Sequence, residues 1–379
     1  MNASWHYNEL MALCGGESSF YFVDQHKDGH IYRIFSYRLA SYSEFLLPSA
    51  RECRGHMFEI YKDGTFIRCA SMAPTKFFNH MENPLTMDLD FSDCDLVMDK
   101  ADGSLISSYI QDGQVYLKSK TSLNSDQAQA AMALLNSEKY VGLKNFITVM
   151  ENSNNTINLE YVSPTNRIVL PYQEDALIVL NVRARNEFYY GEYIDHTVIE
   201  NIMEVYSCKD CLVKNYANEI EDFNAHLASI NDMSDIEGFV IRIRNGETVK
   251  VKTAWYVALH RAKDSINSPR RLFEVVVNEA HDDLRGVFPE DAFLLARIAD
   301  MEKLVQGIYA NIKVNVEKFY NDNAGLDRKS YAILGTQTLP RLYFSLAMNL
   351  YLGKENDYKD WMIKHYKDFG VMDDAPIED

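Results

Sequence analysis

The sequence predicts an α+β protein of two domains, a β-rich N-terminal domain followed by an all-helical C-terminal one. Three observations carry this expectation. The chain has 379 residues, more than one hydrophobic core usually organises. Roughly the first 250 residues read as short apolar runs cut by turn signals. From Trp255 onward the spacing changes to that of long amphipathic helices, so the domains are expected at 1–253 and 254–379.

Strands are expected at 31–37, 56–61, 65–69, 95–98, 104–110 and 115–119, with Asp63-Gly64 and Asp112-Gly113 where hairpin turns should fall. Helical spacing occupies 126–136 and 137–150. Strands resume at 156–161, 176–184, 238–244 and 248–252, the last two joined by Asn245-Gly246. Helices are then expected at 255–262, 269–280, 289–320, 328–352 and 357–369. Ser268-Pro269 reads as an N-cap and first-turn pair, Asp327 and Asn356 as further caps, and Gly325 and Gly353 as helix ends.

Composition excludes several classes. With 47% apolar and 25% charged residues, the chain is neither disordered nor fibrous. The longest apolar runs, 177–180 and 275–277, are far short of a membrane span, so a soluble cytoplasmic protein is expected. Its six cysteines form no dense framework, which points to reduced thiols. Cys208-Lys-Asp-Cys211 is half a zinc site without a second half, and reads as structural.

A formal charge of −17 argues against a polyanionic partner. One stretch runs against that sum. Between 242 and 271 stand Arg242, Arg244, Lys250, Lys252, Arg261, Lys263, Arg270 and Arg271, against only Glu247 and Asp264. A solvated basic face is the plain reading of such a stretch, and an RNA-phosphate surface the sharper one.

The residues that can carry chemistry fall in four short motifs. Lys100-Ala-Asp102-Gly103 lies in a turn between two expected strands, a good place for a reactive group. A lysine attacks phosphorus only as the neutral amine, which neighbouring positive charge or desolvation promotes. Lys250-Val-Lys252 places two ammonium groups on one face of a strand, where both can converge on a phosphate. Glu160 and Glu237 stand among apolar neighbours, and buried acids need partners. One can bind ribose hydroxyls and the other Mg²⁺, with structural salt bridges as the alternative.

Taken in order, Lys100-Ala-Asp102-Gly103, Leu159-Glu160-Tyr161, Asp235-Ile-Glu237-Gly238 and Val249-Lys250-Val-Lys252 resemble the motif set of the covalent nucleotidyltransferases, the superfamily of DNA ligases, RNA ligases and mRNA capping enzymes. Within it the chain resembles the RNA ligase 1 family, the tRNA-repair type of T-even bacteriophages. This likeness rests on Tyr32-Arg-Ile-Phe-Ser-Tyr37, Glu52-Cys-Arg54-Gly55, Lys76-Phe-Phe-Asn79, the 163–169 segment and Trp255-Tyr256. It runs from about residue 30 to residue 285; beyond that only helical texture and Asp327-Arg-Lys-Ser-Tyr331 can be matched.

The resemblance implies a nucleotidyltransferase domain of ATP-grasp-like antiparallel sheets with helices, and an ATP-dependent RNA ligase acting through lysyl-AMP and RNA-adenylate. It makes Lys100 the nucleophile and gives Glu237, Lys250 and Lys252 catalytic parts. ATP would be bound by Tyr37, Arg54, Lys76, Lys100, Lys120, Glu160, Lys250 and Lys252. Mg²⁺, with Mn²⁺ as the alternative, would lie near Glu237, Tyr256 and Asp282. Asp282 is otherwise a surface helix residue beside Asp283.

Lys118 and Lys120 are separated by one residue on an expected strand and so face the same way, with Lys120 matching the family position. The implied partner is RNA with 5′-phosphate and 3′-hydroxyl ends, including nicked tRNA, bound by a monomer in the cytoplasm of an infected bacterial host. A DNA ligase or capping enzyme would share Lys100, but such proteins usually follow the last motif with a small β-barrel, whereas helices follow here. A non-enzymatic RNA-binding protein would not need the four motifs together.

Overall fold

A computed structural model describes residues 2–15, 18–164, 169–244, 246–281, 284–285 and 291–373. The chain divides into two compact units, Met1–Val257 and Ala258–Asp379. The class is α+β.

The described part of the first unit holds three four-stranded sheets. The first is a meander of β1 (Phe20–Lys27), β2 (His30–Tyr37), β3 (Met57–Ile60) and β4 (Phe66–Ser71), with helix α1 (Ala3–Leu13) packed on it. Asp28 and Gly29 both take positive φ between β1 and β2, as the tightest hairpin turn requires.

The second sheet comes from β7 (Ser104–Gln111), β8 (Gln114–Ser119), β9 (Asn155–Val162) and β10 (Ala176–Ala184), in the order β10-β9-β7-β8. One face is covered by α2 (Asp126–Leu135), α3 (Val141–Asn152) and α4 (His196–Val205), through Leu135, Leu143, Phe146, Ile147, Ile199 and Met203. The Asp112-Gly113 turn between β7 and β8 has φ of 50° and 76°, so the hairpin read from the sequence forms.

The third sheet is built from β5 (Phe78–Asn79), β6 (Cys94–Asp99), β11 (Gly238–Ile243) and β12 (Thr248–Lys252), in the order β5-β12-β11-β6, and α5 (Phe223–Ile230) packs on it. It faces the second sheet across Leu96, Met98, Ile178, Leu180, Val213 and Val240. That seam becomes the floor of the site below.

Helix α6 is Ala254–Asn267. The second unit contributes α7 (Pro269–Val277), α8 (Ala292–Asn323), α9 (Arg328–Thr338), α10 (Phe344–Tyr351) and α11 (Tyr358–Lys364), around a core that includes Phe273, Ile298, Ile312, Val316 and Tyr331. Ser268 accepts from the Arg271 amide with proline at the start of α7, and Asp327 accepts from Lys329 and Ser330. No helix among the described residues is long and apolar enough to cross a membrane.

Some expectations are corrected. The helix expected over 328–352 is two helices, because Pro340 cannot donate in a helical ladder and the chain turns there. Asn356 does not cap α11: Asp357 does, while Asn356 bonds Asn349 and the Leu346 carbonyl. Helices α1, α4 and α5 and strands β1 and β5 occupy stretches where none was expected. Asn245 lies outside the described residues.

Candidate active site

Lys100 follows the last residue of β6, and its amide donates to the Gly238 carbonyl at 2.9 Å. This bond welds the first motif to the start of β11. Both motif glycines are sterically required. A Cβ on Gly103 would stand 2.3 Å from the Tyr161 carbonyl oxygen, and one on Gly238, at φ 141°, 2.0 Å from that of Val251. Four sequence-distant motifs therefore meet with their backbones in contact.

The side chains follow. Lys100 Nζ lies 2.7 Å from Glu237 Oε1, and Lys252 Nζ 3.0 Å from the same oxygen. Glu237 is buried, and its second carboxylate oxygen has no hydrogen-bond partner among the described residues. Glu160 accepts from the Gly103 amide at 3.2 Å. Burial, with Glu237 adding repulsion, overcomes the attraction of Lys100 and Arg54 and pushes the Glu160 carboxyl up to about 7. Lys250 is lowered to about 7, chiefly by burial and then by Lys76, Lys100, Lys252 and Arg54. Cations crowd this end of the site.

A cavity of about 490 Å³ opens beside Lys100, within the usual range for small-molecule sites. One part is apolar, where Leu96, Met98, Leu180, Val213 and Val240 cluster on its wall. The other carries Tyr37, Arg54, Lys76, Lys120 and Lys250, with Lys100 and Glu160 also on its wall. Lys76 Nζ donates to the Tyr37 hydroxyl at 3.0 Å, and Lys120 Nζ sits 4.7 Å from the Tyr37 ring centre. Burial opposes ionisation of Tyr37, but Lys76, Lys120 and Arg54 outweigh it and its pKa is lowered.

The structure thus brings together Tyr37, Arg54, Lys76, Lys100, Lys120, Glu160 and Lys250 around one cavity. Lys252 points to Glu237 instead of sharing the cavity wall with Lys250. Tyr256 is buried and donates to Asp102 at 2.7 Å, with its ring 4.8 Å from Lys252 Nζ. Its hydroxyl proton is committed to that carboxyl. Asp282 lies outside the described residues.

One expectation fails on geometry. Lys118 does not share the environment of Lys120, because β8 ends at Ser119 and the alternation stops there. Lys118 is fully buried, donates to the Gly55 carbonyl at 2.7 Å and is lowered by burial to about 7. In the basic stretch 242–271, three of the arginines are ion-paired. Arg242 binds Asp95, Arg244 binds Asp93 and Arg270 binds Glu274, at 2.7, 2.9 and 3.0 Å.

Asp102 is the residue whose part the sequence left unread. Its Oδ2 accepts from the amides of Val169 and Leu170 at 2.6 and 2.8 Å, its Oδ1 from Tyr256, and its own amide donates to the Tyr172 hydroxyl at 2.9 Å. It clamps the loop beside Lys100. Of the 163–169 segment, 165–168 lie outside the described residues.

The donor set fits a hard cation of the Mg²⁺ or Mn²⁺ type. Among the described residues no group of three or more His, Cys, Asp or Glu side chains converges to form a cage. Mg²⁺ commonly takes one or two carboxylates and completes its shell with water and substrate phosphate. Glu237 Oε2, which has no hydrogen-bond partner among the described residues, is a carboxylate oxygen of the kind such a shell takes.

A family model described as RNA ligase matches residues 52–256, and a second, the T4 RNA ligase 1 C-terminal domain, matches 263–370. RNA ligase 1 of bacteriophage TS2126 is 27% identical over 293 residues, covering 75% of this chain and 70% of that protein. Among solved structures, an archaeal ATP-dependent RNA ligase superposes with a TM-score of 0.46 at 12% identity, covering 93% of each chain. An RNA ligase of Naegleria gruberi with PPi gives 0.39 at 13% identity, over 53% of this chain and 63% of that one. With the first model spanning more than half of its length and the second most of the remainder, the chain belongs to the RNA ligase family, of the type that carries the T4 RNA ligase 1 C-terminal domain.

Proposed function

We propose that this RNA ligase uses ATP to join 5′-phosphate and 3′-hydroxyl RNA ends through a lysyl-AMP on Lys100, in the repair of nicked tRNA. The observation that carries the reading is Lys100 on the wall of a cavity whose one part is apolar and whose other is cationic. An adenosine fits the apolar part and a triphosphate the cationic part, which sets the α-phosphorus beside Nζ.

Three in-line displacements at phosphorus follow. Lys100 Nζ, as the neutral amine, attacks the α-phosphorus and pyrophosphate leaves. An oxygen of the RNA 5′-phosphate then attacks the AMP phosphorus and the lysine amine leaves. Finally the RNA 3′-hydroxyl attacks the 5′-phosphorus, AMP leaves and the phosphodiester is made. Such chemistry needs positioning and charge neutralisation above all.

Each residue has a part in that scheme. Glu237 directs Lys100 through their 2.7 Å contact. Glu160 accepts from ribose hydroxyls. Lys250 neutralises the α-phosphate, while Tyr37, Arg54, Lys76 and Lys120 hold the β- and γ-phosphates. Lys252 shares Glu237 with Lys100 and limits the negative charge there. Glu237 would hold Mg²⁺ or Mn²⁺ through its second oxygen, the metal neutralising phosphate charge when bound. Tyr256 acts through Asp102, as part of the clamp.

The tRNA substrate rests on the resemblance to the tRNA-repair type of RNA ligase, whose kind of C-terminal domain this chain carries. The enzyme would act as a monomer in the cytoplasm of an infected bacterial host. Incubation with ATP, Mg²⁺ and a 5′-phosphorylated single-stranded RNA tests the reading. Circularised RNA, with the matching DNA strand sealed poorly, is expected. Equal sealing of a nicked DNA duplex, or no sealing of RNA, overturns it.

A further inference from the structure

Arg54, Lys76 and Tyr193 line the cavity from three segments that lie outside the strands β1–β12. Cation placement on irregular backbone needs an explanation, because side-chain entropy and loop freedom work against a fixed constellation. Behind all three lies Arg183, near the end of β10, with only 2% of its surface exposed.

The Arg183 guanidinium is fully engaged. One terminal nitrogen donates to Glu52 Oε2 at 2.7 Å and to the Ala73 carbonyl at 2.8 Å. The other donates to Glu52 Oε1 at 3.0 Å and to the Gly191 carbonyl at 2.7 Å, while Nε reaches the same carbonyl at 3.2 Å. The plane also lies against the Tyr193 ring, 4.9 Å from its centre.

Each partner belongs to a segment bearing one of the cavity residues. Glu52 stands two residues before Arg54, Ala73 three before Lys76, and Gly191 two before Tyr193. The segments are also tied to one another. Thr75 Oγ1 donates to Glu52 at 3.2 Å, the Thr75 amide donates to the Tyr193 hydroxyl at 2.9 Å, and the Lys76 amide donates to the Arg51 carbonyl at 2.8 Å.

Glu52 is suited to be the hub acceptor. Burial alone would push its carboxyl up, but the Arg183 guanidinium outweighs it and holds the carboxyl at about 2. Only arginine supplies five donors in a rigid plane; a lysine at 183 could neutralise Glu52 but could not also hold Ala73 and Gly191 in fixed directions.

We infer that Arg183 is a positioning residue for recognition of the β,γ-pyrophosphate group of the nucleotide. It locks the segments bearing Arg54, Lys76 and Tyr193 into one frame, so that the phosphates meet groups already in place. This rests on the reading of the cationic part of the cavity as the triphosphate site. It predicts a defect confined to the step that uses the triphosphate. A pre-adenylated RNA strand carries no γ-phosphate and needs no pyrophosphate departure, so its sealing should be spared.

The test compares wild type with Arg183→Lys in two assays, self-adenylylation over a range of ATP concentrations and sealing of a chemically pre-adenylated RNA without ATP. The expected result is a tenfold or greater rise in the ATP concentration for half-maximal labelling, with pre-adenylated sealing changed less than threefold. A parallel loss in both assays, or no change in either, overturns the inference. Should Arg183→Lys fail to fold, Tyr193→Phe keeps the Arg183–Glu52 pair and removes only the hydroxyl that holds Thr75. It should show the same asymmetry at three- to fivefold, and an unchanged ratio of the two activities overturns the inference. A wild type inactive in both assays would instead refute the proposed ligase mechanism itself.

Discussion

Lys100 and Lys252 share a single oxygen of Glu237, at 2.7 and 3.0 Å, while the other oxygen of that buried carboxylate has no hydrogen-bond partner among the described residues. One acid thus holds the proposed nucleophile and a second cation on one oxygen and leaves the other without a partner among the described residues. The charge balance of the site turns on Glu237, and this has measurable consequences.

Glu237→Gln keeps the shape and removes the charge. Self-adenylylation should fall about 100-fold, the scale of losing one preorganised electrostatic contact. The Mg²⁺ concentration for half-maximal activity should rise about tenfold, as for loss of a carboxylate near a metal. A Mg²⁺ titration of the labelling rate reads both. A slower enzyme with an unchanged metal requirement would show that the free oxygen of Glu237 does not serve the metal.

Lys250 predicts a proton linkage. Burial and the neighbouring cations lower it from 10.5 to about 7, so at pH 8 the free protein holds it mostly neutral. A bound triphosphate favours the ammonium and raises the pKa again. ATP binding at pH 8 should therefore take up a proton, and at pH 6, where Lys250 is already charged, take up less. Calorimetry in buffers of different ionisation enthalpy measures the uptake. Lys250→Met should lose it, and equal uptake by both proteins would contradict the linkage.

How much of this was legible in the sequence depended on distance along the chain. Local signals served well: Asp112-Gly113 forms its hairpin turn and Ser268-Pro269 its cap. The four motifs announced Lys100, Glu160, Glu237 and Lys250 because each is a short pattern. What failed was inference about environment. Lys118 and Lys120 differ because β8 ends between them, and Arg242 and Arg244 are neutralised by Asp95 and Asp93, some 150 residues earlier in the sequence. Asp102 was visible as a motif letter, but its partners lie 67 to 154 residues away. Arg183 belongs to no motif, and only the folded chain gives it meaning.

The Asp102 clamp makes a stability prediction. Tyr256→Phe removes one hydrogen bond to a buried carboxyl and leaves the ring packing intact. A hydrogen bond to a charged group contributes about 1.5–3 kcal/mol. Urea unfolding followed by a probe in the first unit should show a loss in that range. A change below about 0.5 kcal/mol, the scatter of neutral surface substitutions, would mean that the clamp does not hold the loop beside Lys100.

The central claim is that Lys100 carries AMP, and mass spectrometry of the protein after incubation with α-labelled ATP and Mg²⁺ tests it most directly. The account predicts an acid-labile adenylate on the peptide containing Lys100 and no labelling of Lys100→Ala. Undiminished labelling of Lys100→Ala, or adenylate mapped to another residue in the wild type, would contradict it.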